Sequence, residues 1–145
     1  MYDDILLPTD GTEGLHAAIE HAAELATTYD ATIHVLSVAD TRNRFESPSA
    51  GISADAWAES ERERAEQAIA STVAELPDDV TVERVVKEGV PKTEILAYVE
   101  DPGVDVVVMG THGRTGLDHY LIGSVTEKVV RRSPVPVMSV RLDES

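Results

Sequence analysis

The residues of this chain best suited to chemistry are glycines crowded into one segment. Between Gly110 and Ser124 lie Gly110, Gly113, Gly116 and Gly123, four of the chain's nine glycines. They directly follow an apolar run, Val104 to Met109. A glycine admits positive φ and close backbone approach, so successive N–H groups can converge on an anion. Gly123 and Ser124 then open a helical pattern, whose first unpaired N–H groups and dipole favour negative charge. Loop and helix start together make a candidate phosphate cradle.

Plainer readings of the same residues exist. Ser124 and Glu127 fit a capping box, which alone would account for Ser124, and Gly110 and Gly116 would serve as ordinary turn residues. Neither the G-x-x-x-x-G-K-[ST] phosphate loop nor G-x-G-x-x-G after the first strand is present, so spacing supports an anion site without naming its ligand. His112 and His119 share the segment. Without cysteine or an i, i+4 histidine pair they make a weak metal site, and solvent-facing or hydrogen-bonded roles are expected. His16, His21, His34 and Trp57 fall on helix or strand positions where no special role is expected.

The elements that must position this segment are legible in the pattern. Ile5 to Leu7 is a short buried strand ended by Pro8. Leu15, Ala18, Ile19, Ala22, Leu25 and Ala26 give helical spacing over Thr12 to Tyr29. The β-branched run Thr32 to Val38 is a second strand, followed by a polar, mobile loop from Asp40 to Gly51. A helix runs from Ser53 to Leu76, with Ala65, Ala68, Ile69, Thr72, Val73 and Leu76 inward. Its charges Glu59, Glu61, Arg62, Glu63 and Arg64 read as a solvated face. Val80 to Lys87 is an edge strand, and Pro91 starts a helix through Val99. Val104 to Met109 is a central strand, Ile122 to Arg132 the last helix and Val135 to Leu142 the last strand.

The order βαβαβαβαβ predicts one α/β domain over residues 1–145, with five parallel strands and four helices on both faces. Ligands of such sheets bind outside the carboxyl ends of the strands, where strand order reverses. The loops after the first and fourth strands are the candidates.

Composition narrows the partners. With 27 Asp+Glu against 12 Lys+Arg, the formal charge is −15, which repels nucleic acid and anionic membranes. A bound triphosphate must therefore be drawn in locally, by backbone amides or a few cations. An acidic surface with only three lysines also suits solubility at high salt, as in halophilic proteins. There is no cysteine, which excludes disulfides, thiolate catalysis and zinc–sulfur sites. No apolar run approaches the ~18 residues of a membrane span, and the N-terminus does not read as a signal peptide. The expected compartment is the cytoplasm.

The pattern Gly110-x2-Gly113-x9-Gly123-Ser124 resembles the nucleotide-binding signature of universal stress proteins. The likeness begins at Ile5 to Asp10, continues through Gly123 to Val137 and covers essentially the whole chain. It implies a flavodoxin-like doubly wound sheet of order 3-2-1-4-5, a homodimer formed partly through the last strands, and the ATP-binding branch of the family. By that resemblance Pro8, Thr9 and Asp10 would border the adenosine, and Val38 would offer main-chain groups to the adenine edge. Met109 and Gly110 would lie near the ribose and α-phosphate. Gly113, Arg114, Gly123, Ser124 and Val125 would hold the phosphates, any Mg2+ being held mainly by the phosphates themselves. Asp10 has a bland alternative as cap of the first helix, and Val38 and Met109 as simple core.

The leading expectation is an ATP-binding stress or regulatory protein whose occupancy reshapes the loop between Gly110 and Gly123. The alternative is a slow ATP hydrolase or phosphotransferase, for which Asp10 or His112 would have to be the base. A phospho-acceptor receiver needs clustered acids after the first strand, whereas Asp3 and Asp4 precede it here. A flavodoxin would place its phosphate loop there, where Thr9 to Thr12 is only a partial echo. Finally, Val135, Val137, Val140 and Leu142 make an apolar edge able to pair antiparallel with a second copy, with a missing donor at Pro136.

Overall fold

The computed structural model describes residues 2–11, 15–40, 54–111 and 123–141. Its elements, in chain order, are β1 (Asp4–Pro8), α1 (His16–Tyr29), β2 (Thr32–Asp40), α2 (Ala54–Ala74), β3 (Thr81–Gly89), α3 (Pro91–Tyr98), β4 (Val106–Gly110), α4 (Ser124–Arg132) and β5 (Val137–Val140). A short π-type turn, Val99–Gly103, joins α3 to β4. The strands form one sheet of order β3-β2-β1-β4-β5, every neighbouring pair parallel. This is the parallel sheet that the alternation of elements predicts, in the flavodoxin-like order that the family resemblance implies.

Alternating side chains of the central strands feed two cores, because a strand buried on both faces needs apolar residues at every position. Ile5, Leu7, Ile33, Val35, Val106 and Val108 pack with α1 and α2. Leu6, Leu36, Val38, Val107 and Met109 pack against Ile95 and Tyr98 of α3 and Val129 of α4. Residues of α1 and α2 therefore cover one face and residues of α3 and α4 the other.

The element boundaries moved by a few residues. β2 runs on to Asp40, which the sequence assigned to the following loop. β4 begins at Val106 and includes Gly110, and β5 is shorter than expected at both ends. Val135 and Pro136 precede β5, so Pro136 leaves no donor gap in that strand. Leu142 and nearly all of the expected loop from Asp40 to Gly51 lie outside the described residues.

One histidine assigned no role proves to be an anchor at the amino edge of the sheet. His34 is buried, with Nε2 2.8 Å from Asp4 Oδ1 and Nδ1 2.7 Å from the Tyr98 hydroxyl. An ionised carboxylate only accepts, so in the neutral ring Nε2–H donates to Asp4 and the Tyr98 O–H donates to Nδ1. Burial pushes the Tyr98 phenol above its usual value of 10.0, and the carboxylates of Glu83 and Asp4 push it the same way. The folded chain therefore keeps this proton at a pH where the unfolded chain releases it. Its contribution to stability is full below about pH 10 and is lost as pH rises through the folded value. Tyr98→Phe is expected to flatten the alkaline decline in melting temperature above about pH 10; parallel profiles for the two proteins would contradict this assignment.

Candidate functional site

Because all five strands are parallel, their carboxyl ends share one edge. The order reverses between β1 and β4, and this is where such sheets admit ligands. Pro8, Thr9 and Asp10 leave β1 there, Val38 lies near the end of β2, and Met109 and Gly110 close β4. Gly123, Ser124 and Val125 return to the same edge, since Gly123 N–H donates to Thr111 O and Thr111 N–H donates to Val140 O at 3.0 Å. Nine of the eleven sequence-predicted site residues are thus gathered at one end of the sheet. Gly113 and Arg114, like His112, Gly116 and His119, lie outside the described residues.

The start of α4 differs from the capping-box reading. Its N-cap is Gly123, in extended conformation, and no side chain caps it; Ser124 is the first helical residue. The first bond within the helix runs from Glu127 N–H to Gly123 O at 2.9 Å. The amides of Ser124, Val125 and Thr126 therefore have no partner within the helix, and they sit at the positive end of its dipole. The anchor is Thr126, missed by sequence reasoning. Its buried hydroxyl donates to Gly110 O at 2.7 Å and fixes the first turn of α4 against the end of β4.

Thr9, which the resemblance would place beside the adenosine, has its side chain turned inward. It is buried, its N–H donates to Leu36 O at 2.8 Å, and its hydroxyl lies 2.9 Å from the Thr72 hydroxyl on α2. Thr72 in turn donates to Ala68 O at 2.8 Å. The side chain of Thr9 thus ties the loop to α2, leaving its main chain at the edge. The N-cap of α1 as described is Leu15, without a side-chain bond. Val38 and Met109 are core residues by side chain, as their bland reading held, and their main-chain groups lie at the sheet's carboxyl edge.

Two charged residues read as solvated are part of this edge. Glu61 is only 5% exposed and accepts from Asp40 N–H at 3.2 Å. Arg64 pairs with Glu61 at 3.2 Å, donates to Val38 O at 3.2 Å and reaches Asp10 O at 3.4 Å. Trp57 Nε1–H donates to Asp40 O at 3.3 Å. The signal was available: Trp57, Glu61 and Arg64 recur at i, i+4 and i+7, in step with Ala65, Ala68 and Thr72 on the inward stripe. A cavity of about 150 Å³ lies nearby, lined by Thr9 and Gly11 with Leu15 at the N-cap of α1, Ile19 within it and Thr72 of α2. It is on the α1–α2 side and well below the ~300 Å³ at which ligand pockets usually begin, so the open edge is the better candidate. No cluster of ligating side chains suited to a metal ion occurs among the described residues.

The sequence model of the universal stress protein family matches residues 1–141. The chain belongs to the universal stress protein family. Universal stress protein MJ0577 of Methanocaldococcus jannaschii is 33% identical over 159 residues, spanning 100% of this chain and 98% of that protein. Universal stress protein MJ0531 of the same organism is also 33% identical, spanning 97% and 83%. The solved structure of MJ0577 superposes with a TM-score of 0.84, covering 100% of this chain and 99% of that one. UspA of Lactobacillus plantarum superposes at 0.79 with 24% identity, covering 97% and 98%, and a universal stress protein solved with cAMP at 0.62 with 21% identity, covering 97% of each chain. These last two bear on the fold. Universal stress proteins thus share this chain's sheet, helices and strand order.

Proposed function

We propose that this universal stress protein binds ATP across the carboxyl edge of its sheet and acts in the cytoplasm as a dimeric, nucleotide-dependent regulator. The observation that carries the reading is the start of α4. Its first amides, which have no partner within the helix, are held against the end of β4 by the bond from Thr126 to Gly110, at the point where strand order reverses. In a chain of formal charge −15, such fixed donors are what could hold a polyphosphate. The glycines and Arg114 between β4 and α4 would add further donors, Pro8 to Asp10 would border the nucleoside, and Val38 would meet the base. Any Mg2+ would travel with the phosphates. A universal stress protein of the same fold has been solved with cAMP, which supports an adenine nucleotide as the ligand class.

Isothermal titration of ATP into thoroughly dialysed protein tests this. Saturable binding that weakens at least tenfold in Gly113→Ala is the expected result; Gly113→Ala titrating like wild type, or no heat from either, would end the proposal. The dimer would form through β5, which among the described residues pairs with β4 alone and carries the exposed Met138 beside Val137 and Val140. Light scattering should show about twice the 15.7 kDa of the chain.

A further inference from the structure

The end of β2 overhangs β1, and what fills the overhang has the shape of a peptide. Thr9 N–H donates to Leu36 O, so Leu36 faces β1, and by the alternation of a strand so do Val38 and Asp40. In a parallel ladder the next residue of the β1 chain to bond there would be Gly11. Its N–H would reach Val38 O and its carbonyl would accept from Asp40 N–H. Gly11 does neither: its φ of +80° turns the chain out of the ladder, and its N–H goes to Thr9 Oγ1 at 3.3 Å. The vacated rung is taken by two side chains of α2. Arg64 Nη2 donates to Val38 O and Glu61 Oε1 accepts from Asp40 N–H, each at 3.2 Å, and the same two atoms are 3.2 Å apart.

Adenine offers the same polarity as that rung, an exocyclic amino donor beside a ring-nitrogen acceptor. Resting on the nucleotide reading above, we infer that the Glu61–Arg64 pair is a built-in competitor of the base, which adenine must displace to reach Val38 O and Asp40 N–H. Arg64 is partly open to solvent, its side chain 25% exposed, so a ligand can reach it and the guanidinium can swing aside on its stem. Hypoxanthine carries the reverse polarity, a carbonyl beside an N–H. It cannot make these two bonds and gains nothing when the pair is gone. The pair thereby lowers affinity for adenine without touching affinity for the triphosphate.

The test compares ATP with ITP, which share ribose and phosphates, so that their ratio cancels everything outside the base. The Glu61→Leu/Arg64→Met double variant removes both competing groups and keeps the net charge. It is expected to bind ATP about tenfold tighter, as one charge-assisted bond per site no longer has to be exchanged, with ITP unchanged. Arg64→Lys keeps the charge but loses the fork that spans Val38 and Glu61, and a smaller rise in the ATP-to-ITP ratio is expected of it. It also answers the question if the double variant does not fold by circular dichroism. Wild type binding ATP with a ratio that neither variant raises, or with ATP and ITP shifted by equal factors, overturns the competitor alone. No ATP binding by wild type and variants overturns the nucleotide reading and this one together.

Discussion

Thr126→Val is expected to weaken ATP binding at least tenfold and to lower the melting temperature by ~3–10 °C. Valine has nearly the shape of threonine and preserves packing, so the change isolates one hydroxyl. That hydroxyl donates to Gly110 O at 2.7 Å in a buried setting. Removing it leaves a buried carbonyl without that donor, which typically costs about 1–3 kcal/mol, or a few degrees per kcal/mol for a domain of this size. Binding falls further because the same bond aims the first turn of α4 at the edge where the phosphates would lie, and donors misplaced by a fraction of an ångström lose much of their value. Thr126→Ser retains the hydroxyl and should restore most of both properties. If valine lowers stability while ATP affinity stays at the wild-type value, Thr126 is a structural tie only, and α4 is not what holds the nucleotide.

The second large effect concerns the sheet itself. Leu6→Ala is expected to destabilise the domain by about 3–5 kcal/mol, a large share of the ~5–15 kcal/mol that separates a typical fold from its unfolded chain. Leu6 is fully buried on β1, the strand with a neighbour on each side at the centre of the sheet. It packs with Leu36, Val107 and Val129 in the core under α3 and α4. Strands on either side and helices above leave little room for collapse into the space, so the cavity term is paid nearly in full. Val130→Ala is the matched control, since Val130 is 47% exposed and should change stability by less than ~0.5 kcal/mol. Urea denaturation of both variants reads this directly. A loss at Leu6 below ~1 kcal/mol would contradict a sheet buried on both faces.

How much of this was legible depends on which physical force sets each feature. The runs Ile5 to Leu7 and Val104 to Met109 announce buried parallel strands because a doubly covered strand cannot afford polar positions. Alternation with helical stripes then leaves few topologies, since βαβ crossovers are right-handed. The glycines after β4 point to an anion site because few other roles use so many together. The placements that failed are of another kind. Ser124 fits a capping motif by composition, yet Gly123 is the cap, because the bond from Gly123 to Thr111 sets where the helix begins. His34 looks like any strand residue until Asp4 and Tyr98, far from it in sequence, meet its two ring nitrogens.

By its sequence alone the chain determined its fold class and the order of its elements, which follow from local periodicity. Glycine placement pointed to one edge of the sheet as a candidate anion site, and the family came from the resemblance of the glycine signature, which the family's sequence model bears out. Only the tertiary structure decided what each polar side chain does at that edge. Thr9 turns to α2, Thr126 ties α4 to β4, and Glu61 with Arg64 occupies the rung left open by Gly11. Hydrogen bonds are short and directional, so they depend on how helices seat on the sheet to within an ångström, and hydrophobic periodicity specifies only which face is turned inward.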